Sequence, residues 1–261
     1  MNWSIALLFF GSAAAMHHGV APICSGHVVA APHEGFDDHT AGLARSVASA
    51  LGWGWVVAEH YRAPREGRWF DVNRPTERPR GPDGRPVRAR AETRAARKVY
   101  DRYQRLLLRA GRRAQGALDL LVEFHGHARA LPDGRTVQVI ELATIGFARP
   151  ELEALADRYR ELARRMLSPE DRVPLAVEQL QPRYAYAGHE LDFRFHASVA
   201  KRTGALRPER ARRALHFELP QRIRFDPRRR AAYARLFAEL LAPLGPRTLP
   251  PAAERRSERA D

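Results

Sequence analysis

At 261 residues and 44% hydrophobic side chains, the chain can bury a sizeable core in one large or two small domains. Its single cysteine, Cys24, excludes an internal disulfide and any multi-cysteine zinc site. A formal net charge of +14 points to an anionic partner. However, residues 78–113 alone hold thirteen Arg and Lys against three acids, and no recognised nucleic-acid module accompanies that run, which counts against nucleic acid.

No Asp, Glu, Lys or Arg precedes Glu34. The apolar residues 5–10, followed by Ala13-Ala14-Ala15, have the pattern of a signal core and a small-residue cleavage region. Residues 1–25 therefore read as a candidate export signal, with periplasmic or secreted location. The other reading is an apolar N-terminal strand or helix on the core of a cytoplasmic protein. Beyond this segment no run approaches the ~20 apolar residues of a membrane span.

Residues 27–32 read as a buried strand, short and apolar on both faces. Thr40 caps a helix to residue 51, with Leu43, Val47 and Leu51 at helical spacing and Gly52 ending it. A second strand covers 53–59. Residues 62–86, rich in Arg, Pro and Gly, read as a long ordered loop containing Trp69-Phe70. A long helix is expected over 87–114, where Ala91, Ala95, Val99, Tyr103 and Leu107 make an apolar stripe and arginines cover the other faces.

Residues 118–125 read as the central strand, and Asp133-Gly134 as a tight turn into a strand over 137–142. Pro150 starts a helix to residue 166 with Leu152, Leu155, Tyr159 and Leu162 inward. The last strand is 214–219, and Asp226-Pro227 opens a final helix carrying Tyr233, Leu236, Phe237 and Leu240. This alternation predicts one three-layer α/β/α domain over residues 26–243 with a mixed central sheet, of the phosphorylase/hydrolase-like kind. Residues 244–261 form a tail, Pro-rich and then charged, expected to be disordered.

Three apolar runs end at groups able to bind or assist a metal: His33, His125 and, after Leu215-His216-Phe217, Glu218. In open α/β sheets, chemistry collects beyond the carboxyl ends of the strands. A catalytic zinc site takes three ligands from His, Asp and Glu and leaves one position open. After His33, Gly35 permits a tight turn that brings Asp37 back to the same point, with Asp38 the rival. The structural alternatives are a hydrogen-bonded strand-end histidine and a helix cap at Asp37-Asp38. Glu141, inside Val139-Ile140-Glu141-Leu142, rivals Glu218 as the acid that does chemistry. His127 shares a face with His125, and Arg129 and Arg222 are candidate anion contacts or surface residues.

Taken in order, Pro32-His33-Glu34-Gly35-Phe36-Asp37, Asp71-Val72-Asn73-Arg74, Glu123-Phe124-His125-Gly126-His127 and His216-Phe217-Glu218-Leu219 with Arg222 resemble the N-formylglutamate amidohydrolase family, over about residues 27–242. That family is similar in architecture to the zinc carboxypeptidases. The resemblance implies His33, His125 and Asp37 as zinc ligands; the acidic position is often glutamate at variable spacing in the wider group, so Asp38 stays open. It implies Glu218, ahead of Glu141, as general base. Arg74 becomes the clamp for a substrate carboxylate, its other reading being an ion pair with Asp71, and Asn73, His127 and Arg222 join the substrate side.

The function implied is zinc-dependent hydrolysis of an amide in an acidic N-acyl amino acid, N-formylglutamate-like, or in a glutamyl or short peptide substrate. The alternatives are a basic protein that binds nucleic acid or other polyanions and a non-catalytic binder retaining the fold.

Overall fold

The computed structural model describes residues 13–22, 26–63 and 67–245. The apolar run 5–10 and the tail from Pro246 lie outside the described residues. Among the described residues the first strand is β1 (Ala15–Gly19), which pairs with β3 at the sheet edge although it precedes residue 26. Then follow β2 (His27–Glu34), α1 (Thr40–Leu51) and β3 (Gly54–Glu59). Helix α1 has its expected length, and Gly52 closes it in the left-handed region at φ 65. Its cap differs from expectation. The Glu34 carboxylate, from the end of β2, accepts hydrogen bonds from the amides of His39 (3.0 Å) and Ala41 (2.6 Å), while the Thr40 hydroxyl donates to the Asp37 carbonyl at 2.8 Å.

Residues 62–86 are not a loop throughout. They hold β4 (Arg62–Ala63), β5 (Arg68–Asp71) and β6 (Thr76–Glu77), paired antiparallel. Helix α2 (Arg94–Ala110) starts later than residue 87, because Ala91 bridges back to Glu77 and Thr93 Oγ1 caps the Ala96 amide. A stripe spaced by four drifts around a 3.6-residue helix. The buried face therefore keeps Tyr103 and Leu107 from the expected stripe but is completed by Ala96, Tyr100, Gln104 and Ala110 in place of Ala91, Ala95 and Val99.

Strand β7 (Leu118–His127) is followed by a turn with Gly134 at φ 84, then by β8 (Ile140–Ile145), shifted from 137–142 because Val137 still bonds back to the Arg129 carbonyl. Helix α3 (Arg149–Met166) has the predicted inward residues. Then come β9 (Leu175–Val177), the hairpin β10 (Arg183–Tyr186) and β11 (His189–Asp192), α4 (Ser198–Thr203) and β12 (Ala211–Pro220). Helix α5 (Gln221–Phe225) precedes α6 (Pro227–Leu241), which Asp226 caps through the amides of Arg228 and Arg229.

Seven strands form one mixed sheet in the order β1-β3-β2-β7-β12-β8-β9. β3, β2, β7 and β12 run parallel, while β1 and β8 lie antiparallel to their neighbours β3 and β12. Helices α1, α3 and α6 cover one face, with Val29, Phe124 and Phe217 from the sheet buried among Val47, Leu155, Leu236 and Phe237. Helix α2 covers the other face, where Tyr103 and Leu107 meet Ala30, Leu121 and Ala214. The domain is three-layered, as expected. Among the described residues no helix is long and apolar enough to cross a membrane.

Phe124 stacks on Phe217 at 5.5 Å and meets Phe237 at 5.0 Å in the centre of the larger core. Phe124→Ala should destabilise the protein by about 3–5 kcal/mol, read as a lower urea midpoint with an unchanged m-value.

Candidate metal centre

Register decides which side chains meet. β7 and β12 pair in parallel with Glu123 opposite His216 and His125 opposite Glu218. Side chains alternate along a strand, so these four share the face covered by α2, while Phe124 and Phe217 point to the opposite core. On the next strand, β2 shifts register between Ala31 and Glu34. Gly35 then turns the chain at φ 85, and the amides of Phe36 and Asp37 donate to the His33 carbonyl at 3.1 and 2.8 Å. That one turn brings Asp37 back over His33.

The result is a buried triangle. His33 Nδ1 lies 3.0 Å from His125 Nδ1 and 3.4 Å from Asp37 Oδ2, and His125 Nδ1 lies 3.3 Å from the same oxygen. Ligand atoms about 2.0–2.1 Å from a tetrahedral zinc stand about 3.3–3.4 Å apart, so the triangle has the dimensions of three of its four ligands. The far nitrogens fit too. His125 Nε2 meets Glu123 Oε2 at 3.3 Å, which turns Nδ1 to the centre. His33 Nε2 is buried without a hydrogen-bond partner, 4.0 Å from Asp71 Oδ1. Histidine ligands backed by carboxylates are the usual arrangement around a metal.

Protons and metal compete for this point. Burial works to lower the His125 pKa, but hydrogen bonds to Asp37 and Glu123 overcome it and raise the pKa to about 9. His33 is lowered to about 3, by burial first and then by the Arg62 charge. Burial works to raise Asp37, yet hydrogen bonds from both histidines hold it well below the usual carboxylate range. Glu123 is likewise held low against burial by His125 and His216. It also accepts from Asn73 Nδ2 and the Tyr103 hydroxyl, each at 3.1 Å.

The triangle opens on a cavity of about 380 Å³ lined by Glu218, His216, Arg62, Arg74, Arg90, Asn73 and residues 194–200 among others. Glu218 Oε1 is 3.3 Å from His216 Nε2. Arg74 lies in this cavity and also makes the ion pair with Asp71, Nε to Oδ2 at 3.0 Å. Asp71 is shared with Arg62 and with Arg90 Nε at 3.4 Å. One carboxylate against three guanidiniums leaves the wall positive. Burial works to raise Asp71, but Arg62 and Arg74 keep it well below the usual range.

Other expected residues go elsewhere. Asp38 is outside the triangle, on a separate recess with Glu34 and His39. Glu141 does not line the cavity; its carboxylate is filled by Arg129, the Tyr184 hydroxyl and two backbone amides. His127 is also absent from the cavity, because Nε2 meets the Val139 carbonyl at 2.8 Å and Nδ1 accepts from the Arg129 amide at 3.3 Å. Arg222 points to the Glu170 carbonyl on another surface. Helix α5 instead turns Arg224 inward, where it binds the carbonyls of Asp38, Leu219 and His127. Arg129 is consumed by Glu141, Tyr184 and the Asp192 carbonyl.

Sequence reasoning assigned no role to Glu123 or His216, although each stands two residues before a site residue in an apolar strand, and that spacing was a usable signal. Arg62, Arg90 and Arg194 had none, being single members of an arginine-rich chain.

No family model matches the chain, and no curated protein matches it. Solved structures match it at low identity. A bacteriophage poly-gamma-glutamate hydrolase is 12% identical, with 90% of each chain covered and a TM-score of 0.46. A gene product of Agrobacterium tumefaciens is 14% identical, covering 88% of this chain and 94% of that one, with a TM-score of 0.48. A protein described as a metallopeptidase, from Shewanella amazonensis, is 14% identical, covering 89% and 82%, with a TM-score of 0.41. At such scores the likeness assigns no residue, and the roles rest on the site's own geometry.

Because the His125 proton is held below a pKa of about 9 and must leave when a metal takes Nδ1, zinc binding at pH 7 should release about one proton per site. Affinity should then rise with pH by about tenfold per unit up to that pKa. Calorimetric titration in two buffers of different ionisation enthalpy reads the proton directly, and buffer-independent heats would contradict it.

Proposed function

We propose that the chain is a zinc-dependent amidohydrolase acting on an acidic N-acyl amino acid, N-formylglutamate-like, or on a glutamyl or short peptide substrate. The observation that carries this reading is the His33–Asp37–His125 triangle, sized for zinc and opening on the cavity that also holds Glu218. The ordered motifs that resemble the N-formylglutamate amidohydrolases support it.

Zinc held by these three residues supplies a Lewis acid that acidifies water and polarises an amide carbonyl. The chain's own groups do the rest. Glu218, one strand over and in register with His125, accepts the proton of the attacking water and passes it to the leaving nitrogen. His216 Nε2, 3.3 Å from Oε1, steadies one carboxylate oxygen and leaves the other for the proton. Glu123 holds His125 and His216 together from beneath, so ligand and base are set by one buried carboxylate. Planar guanidiniums bind carboxylates through parallel hydrogen bonds, so the Arg62–Arg74–Arg90 wall suits an acidic substrate.

Purified protein should hold about one zinc per chain and hydrolyse N-formylglutamate or γ-glutamyl amides within a panel of acidic and neutral amides. Glu218→Gln should keep the zinc and lose on the order of 10²–10⁴ in turnover. Full activity in that variant would remove Glu218 from the mechanism. Zinc content with no hydrolysis anywhere in the panel would mean that the fold binds without turning over.

A further inference from the structure

Residues 194–200 wall the cavity, joining β11 to the start of α4 through irregular backbone with Ala197 in the left-handed region at φ 50. Their position depends on carboxylates that stand outside the cavity. Glu141 Oε2 accepts from the amides of Arg194 and Phe195, both at 2.8 Å. Its Oε1 accepts from Arg129 at 2.7 Å and the Tyr184 hydroxyl at 2.6 Å. Glu178 holds His196 Nδ1 at 2.9 Å and also pairs with Lys201. The Phe195 ring stacks on His127 at 5.3 Å. A buried carboxylate is tolerated here because four donors satisfy it.

The wall carries a charge unlike the others in the cavity. Arg62, Arg74 and Arg90 are tied to Asp71. Arg194 is exposed, lines the cavity and has no carboxylate partner among the described residues. Its guanidinium is therefore available to an incoming anion without first breaking an ion pair.

We propose that Arg194 is a specificity-determining contact for an anionic group of the substrate, and that Glu141 is the positioning residue that sets it through the backbone of residues 194–195. Glu141 never touches the substrate; it acts through the wall. The proposal rests on the cavity being an anion-binding site, and its test reads binding, so an absence of hydrolysis in the wild type would sink the enzyme reading without touching this one.

The experiment measures binding of glutarate, a dianion, and of glutaramide, its neutral counterpart, to the full chain loaded with zinc. Wild type should prefer glutarate. Arg194→Gln should weaken glutarate roughly 10- to 100-fold, the worth of a charge-assisted pair, and leave glutaramide nearly unchanged. Glu141→Gln should keep its zinc, weaken glutarate by a similar factor, and speed hydrogen exchange at the Arg194 and Phe195 amides while β7 and β12 stay protected.

In the Arg194→Gln background, Glu141→Gln should cost nothing further, the mark of two residues acting as one unit. Should Glu141→Gln fail to fold, Glu141→Asp is judged by the same readouts, since it keeps the charge beside Arg129 but shortens the reach to both amides. The proposal is overturned if wild type does not prefer glutarate, if Arg194→Gln binds it normally, or if the Glu141 effect persists undiminished without Arg194.

Discussion

Three buried polar atoms 3.0 to 3.4 Å apart, two imidazole nitrogens and a carboxylate oxygen, can stand together only around a shared proton or a metal ion. Much of the polar interior follows from that requirement. Glu123 stands behind His125 and Asp71 behind His33. Tyr103 and Asn73 then satisfy Glu123, and Arg62, Arg74 and Arg90 satisfy Asp71. Each buried charge is tolerable only because the next one pairs it. The network ties β2, β5, α2, β7 and β12 together through side chains, on the same face where their backbones are already paired or packed.

The turn after β2 shapes the fold and the candidate metal centre together. Gly35 lets the chain reverse, and a Cβ there would come within 2.5 Å of His60 Nδ1. Glu34 closes the same turn by capping α1 through the His39 and Ala41 amides. The carboxylate beside His33 therefore serves the helix, and the one that the turn returns to the histidine, Asp37, serves the candidate site. A carboxylate at a helix N-terminus is favourable in itself, since it meets unpaired amides and the positive end of the dipole.

Two groups within the strong positive charge behave differently. On α2, Arg94, Arg97, Lys98, Arg102, Arg105 and Arg109 are exposed along the helix side away from Tyr103 and Leu107. Around Asp71, Arg74, Arg62 and Arg78 stand close enough that burial and then these neighbouring charges lower the pKa of Arg90. Arg62 also helps to keep His33 neutral. The local field thus favours a neutral His33 and a positive cavity wall at once.

Periodicity and local signals were enough to read β2, α1, α3 and α6, though not the cap of α1: Leu152, Leu155 and Tyr159 face inward by spacing alone, and Asp226 caps from one residue away. Strand ends likewise marked His33, His125 and Glu218, which the sheet brings to one cavity. Glu141 and Glu218 could not be separated in this way. Both are single acids in apolar strands, and they prove to be directly opposite in the antiparallel pair β8–β12. Glu141 is filled by Arg129, Tyr184 and the amides of Arg194 and Phe195, between 12 and 54 positions away along the chain, whereas Glu218 keeps the cavity. Which residues carry charge into the sheet is written in the order of amino acids alone. Which of those charges are already paired emerges from the folded arrangement, because a carboxylate's partners are chosen by distance in space and leave no periodic trace along the chain.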